Sequence, residues 1–457
     1  MSNILHVYKP VPYTHAALQL LTGGWQLPSG LDIPCLAEGE VDNLSVKLEQ
    51  TGDALRRVET LIGKAGSDAE RLLLHNIARL PVIELRQRLT REAFENMPRT
   101  VVDYSDAQKI MEEILYAAIE KKTGDKHTFV NTIDGYEDEV QYVIDCLLDA
   151  EGQGHDTHGV SRLPDYVQSV LDGKIDTLGK VKLTEEAPGK LSFDGGGTFG
   201  QVAAQLALQG GLEYSNILSD TVVVTMRHAY HAGRLERIAR EATRKGFICL
   251  VLLNVGGKGR TAPEGGMEPR WGTNPIAFGV PTGIGEDGIV GDTATTARPE
   301  GWVQVAFQNG LIVPLDILRT PEGHQTIDPA GVYRKDGKPD LLLPMGGEIA
   351  SYKGAVLGQM IELIVDAVSG RMPGESTQQK NNNIVLILIK GNEDTFAAIK
   401  ERVAYIESCP TVSGEPIRRP GAEGLRKLAL AKRNGLGIAS GTWDKVLALH
   451  TQLCGKA

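Results

Sequence analysis

Lys190-Leu191-Ser192-Phe193-Asp194-Gly195-Gly196-Gly197-Thr198-Phe199-Gly200 is the stretch on which the fold turns. Gly195, Gly197 and Gly200 satisfy the spacing G-x-G-x-x-G. A strand-like segment precedes them, a helical one (Gln201 to Tyr214) follows, and Thr221-Val222-Val223-Val224-Thr225 reads as a second, buried strand. In a Rossmann unit that second strand ends on an acid that bonds the ribose hydroxyls. Here it runs into Met226-Arg227-His228 instead. Arg227 could meet a 2′-phosphate, yet Asp194 immediately before the glycines suits such a site poorly. The other reading is a glycine turn that lets a helix pack close to a strand. Both readings give an α/β architecture, and only one puts a cofactor on this turn.

Working outward, the alternation continues. Arg234 to Lys245 is helical, Phe247 to Leu253 a strand, and Gly288-Ile289-Val290 strand-like. Val255 to Thr293 is rich in glycine and proline, as loops that shape a cleft are. Gly354 to Gly370 reads as a helix, Ile384 to Ile389 as a strand, and Asp394 to Ser408 and Ala422 to Arg433 as helices. Upstream, Val101-Val102-Asp103 is a short strand and Ser105 a candidate N-cap for a helix through Ile110, Ile114 and Leu115. A helix from Glu137 to Ala150 leads into the polar stretch 154–162, and an amphipathic helix carrying Val160, Leu163, Val167 and Val170 leaves it. Residues 1–40 read as an irregular arm, and from Val41 the leucines recur at helical spacing through Leu89. The expected organisation is a mainly helical extension over 1–100 and a body over 101–457, whose central part spans about 185–380.

Composition narrows the function. The chain has 457 residues, 41% hydrophobic and 23% charged, with a net charge of −10. That balance fits a soluble globular protein and argues against nucleic acid as the main partner. Cys35, Cys146, Cys249, Cys409 and Cys454 are scattered and lack Cys-x-x-Cys spacing, which suits a reducing compartment. The N-terminus does not read as a signal peptide, and no apolar run is long enough to span a bilayer, so the expected location is cytoplasmic.

Chemistry concentrates in a few places. Gly154-His155-Asp156-Thr157-His158-Gly159-Val160-Ser161-Arg162 holds two imidazoles and a guanidinium. Imidazole trades a proton near neutral pH, and a guanidinium fork matches a carboxylate. The structural alternative is a helix entry capped by Asp156 or Thr157. His228-Ala229-Tyr230-His231-Ala232-Gly233-Arg234 follows the buried strand, where open α/β sheets place ligands. The two H-x-x-H pairs raise a metal site as a rival, although neither has the glutamate and i, i+4 spacing of the usual zinc peptidase motif. Trp271-Gly272-Thr273-Asn274-Pro275 is a turn rich in hydrogen-bonding groups. Asp292-Thr293-Ala294-Thr295 follows a strand with small residues that let a cofactor approach, or Asp292 caps a helix. Lys353 stands at the expected start of a helix, where an anion or solvent must hold it.

In this order the pieces resemble the malate/L-lactate dehydrogenase family of NAD(P)-dependent oxidoreductases, which is distinct from the Rossmann lactate dehydrogenases. Thr157 to Arg162 with Tyr166, Tyr230 to Leu235, Pro263 to Gly266 and Gly272 to Pro275 carry the likeness. So do Asp292 to Thr296, Thr326 to Pro329, Tyr352 to Gly354 and Pro420-Gly421. The resemblance implies a mixed-sheet, non-Rossmann fold of the sulfolactate dehydrogenase type, so that the Gly195–Gly200 match is structural. It implies hydride transfer between NAD or NADP and a small 2-hydroxy acid, 2-oxo acid or cyclic imino acid. His158 and His231 are then the acid/base candidates, with Thr157 beside the first. Arg162, Thr273 and Tyr166 fall to the substrate. His231, Gly233, Arg234, Leu235, Asp292, Thr293, Ala294, Thr295, Lys353, Gly354, Pro420 and Gly421 fall to the cofactor. No metal is implied, and a homodimer or higher homo-oligomer is. Three departures stand out, one being Pro420-Gly421-Ala422-Glu423 where Pro-Gly-Glu is usual. Residues 1–100 have no counterpart, and the run after the Asp292 motif reads Pro299-Glu300-Gly301-Trp302 where a basic residue is usual. Three rivals stay open: a non-redox reaction on the same scaffold, a metal-dependent hydrolase using the histidine pairs, and a non-catalytic assembly protein that works through its extension.

Overall fold

The computed structural model describes residues 97–126, 129–256, 259–308, 312–314, 316–334, 338–370, 381–412 and 414–455. The arm and the helical spacings expected before residue 97 lie outside the described residues. Met97–Gly310 and Asp316–Ala457 form one compact unit.

The chain enters this unit through β1 (Arg99–Val102), α1 (Tyr104–Thr123) and α2 (Glu139–Gly152). Two single 3-10 turns, Asp156–His158 and Val160–Arg162, lead to α3 (Leu163–Leu171). Then come β2 (Lys182–Ala187), β3 (Lys190–Asp194), α4 (Gly200–Ile217), β4 (Thr221–Ala229), α5 (Glu236–Arg244) and β5 (Phe247–Val255). The next elements are β6 (Ile276–Val280), β7 (Ile289–Thr293), α6 (Glu300–Gln308), β8 (Leu318–Arg319), β9 (Gln325–Thr326) and β10 (Leu341–Leu342). The chain finishes with α7 (Gly347–Ser369), β11 (Asn382–Lys390), α8 (Glu393–Glu407), α9 (Ala422–Asn434), β12 (Leu436–Ala439) and α10 (Ser440–Cys454).

One seven-stranded sheet carries the unit, in the order β2-β3-β4-β11-β5-β6-β7. Only β3 and β4 run parallel; every other neighbour is antiparallel. The aliphatic run of β11 sits in the middle because both of its faces are covered. Ile384, Leu386 and Leu388 meet the side of α4 and α5, while Val385 meets Ile361 and Val365 of α7. Each such fully buried aliphatic side chain contributes about 1.5–3 kcal/mol. A second core gathers Met111, Tyr142, Leu147, Leu163, Tyr166 and Trp443 from α1, α2, α3 and α10. The two ends of the unit close on each other through β1 and β12, with Arg99 opposite Ala439 and Val102 opposite Leu436.

The glycine turn after β3 is structural. The amides of Gly195 and Gly197 donate to the carbonyls of Arg227 and His228, and that of Thr198 donates to Gly195. Gly196 N donates to Asp194 Oδ1 at 2.9 Å. A loop that spends its amides in this way has none to cradle a pyrophosphate. A Cβ at Gly200 would overlap the Tyr230 carbonyl oxygen and lie 2.5 Å from Ala232 N, so this glycine seats α4 against the chain leaving β4.

Two local expectations change. Asp103 rather than Ser105 caps α1, accepting from Ser105 N at 2.9 Å and Asp106 N at 3.4 Å. Neither Asp156 nor Thr157 caps α3, which begins only at Leu163 and has no side-chain cap. Asp156 instead pairs with Arg99 of β1 at 2.6 Å.

Candidate active site

The two 3-10 turns between α2 and α3 are held open from beneath. Glu151, buried at the end of α2, accepts the Val160 amide at 2.9 Å. Gly159 leaves room for it, since a Cβ there would overlap the Glu151 carboxylate and approach its Cα to 3.0 Å. Burial raises the Glu151 carboxyl to about 8; Asp156 adds to the rise, while the Val160 amide and Arg99 oppose it. Ser161 Oγ donates to the Asp156 carbonyl at 2.5 Å, and Arg162 Nε donates to the Thr157 carbonyl at 2.7 Å. These bonds fix the direction of the Arg162 side chain relative to His158.

His158 Nδ1 lies 3.1 Å from the Thr157 hydroxyl. Its ring stacks against that of His231, with centroids 5.8 Å apart and planes 25° from parallel. Burial is the largest influence on His158 and lowers it to about 3, with Arg162, His155 and Arg234 pushing the same way. Its imidazole is therefore neutral at neutral pH. A carboxylate paired with Arg162 would offset that arginine's charge and ease protonation of the ring.

His231 belongs to the segment after β4. The Ala232 amide donates to Asn382 Oδ1 of β11 at 2.8 Å, which ties this segment to the centre of the sheet. His231 Nδ1 is 2.8 Å from the Tyr166 hydroxyl of α3, and Gln201 Nε2 of α4 donates to the same oxygen at 2.7 Å. Burial raises the Tyr166 phenol well above its ordinary value, so it stays protonated.

Around the corner, Arg234 is bonded to Gln153, pairs with Glu236 at 3.5 Å and approaches Asp292 Oδ2 to 3.9 Å. Asp292 lies at the end of β7 and accepts the Glu236 amide at 3.1 Å. It thus caps α5 from another strand, since Leu235 offers no side-chain cap of its own. Burial raises the Asp292 carboxyl, against the pull of Arg234 and of the amides of Glu236 and Leu235. Gly421, with φ +81, opens α9 against Val290 of β7, where a Cβ would lie 2.8 Å from the Val290 carbonyl oxygen. A narrow cavity is lined by His158, Gln153, Gln201, Gly233 and Arg234.

The remaining expected residues stand further out. Thr273 accepts from the amide and hydroxyl of Thr295 at 3.0 and 2.9 Å, and Asn274 donates to Gly358 and Glu362 of α7, both at 2.9 Å. That turn is anchored to the Asp292–Thr296 segment and to α7. Ala294 is half-buried, and Thr293 and Pro420 are exposed. Lys353 is exposed, its ammonium 5.9 Å from the Tyr352 ring; α7 is broken at Ala350 (φ −130), so Lys353 stands in the first turn of the stretch that runs on to Ser369, as the sequence suggested. Gly354 packs on Met345, where a Cβ would lie 2.5 Å from its amide nitrogen. Gly301, one residue before Trp302, rests on the first turn; a Cβ there would come within 2.8 Å of the Arg162 guanidinium and 3.0 Å of Thr157 Cβ. His155 and His228 are exposed, and His228 turns back to Asp194 at 3.1 Å. Among the described residues no group of three or more His, Cys, Asp or Glu is placed to hold a metal ion.

The sequence reading overlooked Gln201, Gln153 and Glu151. Gln201 had a signal: it directly follows the last glycine of a turn that packs on the His231 segment. Glu151 had none, because its role depends on a hydrogen bond to a turn nine residues on.

The profile of the malate/L-lactate dehydrogenase family matches residues 129–447. The chain belongs to that family. It is an oxidoreductase of the dehydrogenase/reductase kind. Hydroxycarboxylate dehydrogenase B of Escherichia coli (strain K12) is 28% identical over 348 residues, covering 72% of this chain and 92% of that protein. The delta(1)-pyrroline-2-carboxylate/delta(1)-piperideine-2-carboxylate reductase of Pseudomonas putida is 28% identical over 302 residues, covering 63% of this chain and 83% of the reductase. Among solved structures, a putative malate/lactate dehydrogenase from E. coli superposes with a TM-score of 0.65 at 25% identity, covering 78% of this chain and 95% of that one. The sulfolactate dehydrogenase of Methanocaldococcus jannaschii shares the fold, with a TM-score of 0.61 at 21% identity, covering 78% of this chain and 98% of that one. The mixed sheet is thus that of sulfolactate and malate dehydrogenases. No helix among the described residues is long and apolar enough to cross a membrane.

Proposed function

We propose that this protein moves a hydride between NAD(P) and C2 of a small 2-hydroxy/2-oxo acid or cyclic imino acid. The observation that carries the reading is the stacked pair His158 and His231, 5.8 Å apart, with Arg162 at the end of the 3-10 turn that follows His158. Reducing C=O or C=N adjacent to a carboxylate needs three things: an orienting cation, a donor on the heteroatom, and a proton at the moment charge develops. Arg162 takes the carboxylate as a fork, and its bond to the Thr157 carbonyl keeps the fork aimed. His158 or His231 delivers the proton to the oxygen or nitrogen on C2 and retrieves it in the reverse direction. Thr157 orients His158, and Thr273 and Tyr166 border the substrate.

The residues present fit a nicotinamide cofactor. Gly233 and Gly421 have positive φ and let the Gln201 side chain and the Val290 carbonyl of this chain pack against them. Gln201 Oε1 is buried without a hydrogen-bond partner beside the same cavity, which suits a ligand bearing N–H groups. Bound NAD(P) supplies a hydride donor or acceptor. His231, Gly233, Arg234, Leu235, Asp292 to Thr295, Lys353, Gly354, Pro420 and Gly421 would hold it, within a dehydrogenase domain over 101–457 whose central part is about 185–380.

The enzyme works as a cytoplasmic homodimer or larger homo-oligomer. An exposed apolar stripe along α7, formed by Tyr352, Val356, Met360 and Leu363, supports a self-association surface. The test of the function is a screen of 2-oxo acids, 2-hydroxy acids and cyclic imines with both reduced and oxidised cofactors. Substrate-dependent loss of reduced-nicotinamide absorbance is expected with at least one of them. Absence of NAD(H) and NADP(H) binding in calorimetry would overturn the proposal.

A further inference from the structure

We infer that Gln201 is a positioning residue which, through Tyr166, fixes the tautomer of His231. The inference rests on the proposed role of His231 and names the device that prepares it. An amide N–H can only donate, so at 2.7 Å from Gln201 Nε2 the Tyr166 oxygen is the acceptor. The phenol has one hydrogen, and His231 Nδ1 lies 2.8 Å from the same oxygen. That hydrogen is therefore directed at Nδ1, which accepts with its lone pair. The neutral ring must then carry its own hydrogen on Nε2.

The relay is rigid because each member is locked from another element. Gln201 is 3% and Tyr166 1% exposed. Gly200 seats the start of α4 directly on the Tyr230–Ala232 backbone, which leaves no slack between Gln201 and His231. Gly233 borders the Gln201 amide, where a Cβ would lie 3.1 Å from Nε2. His158 has no such lock, because the Thr157 hydroxyl at its Nδ1 can donate or accept. The two stacked rings therefore differ: His231 is held in one tautomer, and His158 is free to exchange between two.

With the Gln201 amide turned over, its oxygen would take the phenol hydrogen and His231 would carry its hydrogen on Nδ1. The tautomer thus decides the matter. Histidine-selective 15N labelling of the full chain, with the His231 signals assigned by their loss in His231→Asn, reads it without a substrate. The wild type is expected to show hydrogen on Nε2 and a bare, accepting Nδ1. In Gln201→Glu the carboxylate accepts the phenol hydrogen, the phenol oxygen accepts from Nδ1, and the tautomer switches. In that variant kcat falls about 10- to 100-fold, while KM for the carboxylate substrate changes less than about threefold because Arg162 is untouched. A wild-type ring with its hydrogen on Nδ1 overturns the inference, and this holds even where the variant does not fold. Retention of the Nε2 hydrogen in Gln201→Glu with kcat unchanged also overturns it. An inactive wild type with the expected tautomer would sink the proposed reaction and leave the relay standing.

Discussion

The two H-x-x-H stretches make an informative pair. Each sends one histidine into the site and turns the other away: His158 and His231 stack, while His155 is exposed and His228 bonds back to Asp194. Equal spacing on a regular helix would put both rings of a pair on one face. Here one pair rides on a 3-10 turn and the other on a strand end where His228 has φ +57. The lesson is that backbone irregularity, and not spacing, selects which ring joins the stacked pair. The supports differ too. The His158 turn rests on a buried carboxyl and side-chain bonds, whereas the His231 segment rests on backbone contact with α4 and on the Asn382 side chain of β11.

The sharpest way to break the comparison is to delete each histidine in turn. His158→Ala is expected to lower kcat by about 10²- to 10⁴-fold with calorimetric cofactor affinity kept, and His155→Ala and His228→Ala to stay within about twofold. Equal losses from His155 and His158 would mean that the pair acts together, as in a metal site. A smaller effect probes the backbone support: Gly200→Ala should cost about 1–3 kcal/mol of stability, because the new methyl meets backbone and no side chain can yield. Chemical denaturation measures it, and an unchanged midpoint would show that the α4–His231 contact is loose. The last test reads a slope rather than a midpoint, at the buried carboxyl. Glu151 titrates near 4.5 when unfolded and is raised to about 8 when folded, so the folded state holds a proton that unfolding releases. Stability contributed by this group is therefore present below pH 4.5 and lost as pH rises through 8. Thermal melts from pH 5 to 8 should decline less steeply for Glu151→Gln than for the wild type; parallel slopes would remove Glu151 from that role.

Much of this was legible in the sequence where burial repeats along the chain. The Ile384–Ile389 run announced a buried strand, and the absence of an acid after Thr225 already weakened the Rossmann reading. β2 was missed because its residues are exposed or half-buried and print no alternation. Helix α10 went unread although Trp443, Val446, Leu449 and Leu453 recur at helical spacing. In the site, His158, Arg162 and His231 were legible as chemistry. The distant pairings were not: the helix that Asp292 caps lies 56 residues away, and Tyr166 reaches His231 across 65. Such contacts are set by tertiary packing, which local pattern does not encode.

The place of β11 also sets a timetable for synthesis. It is the middle strand of the sheet and the last of the seven to be made. Until it emerges from the ribosome, β4 and β5 each present an open hydrogen-bonding edge, with the aggregation hazard such edges carry. The Asn382 that begins β11 also fastens Ala232 across 150 residues, next to His231. Sheet closure and the fastening of Ala232 are thus a single late event, and a nascent chain cut short before residue 382 has neither.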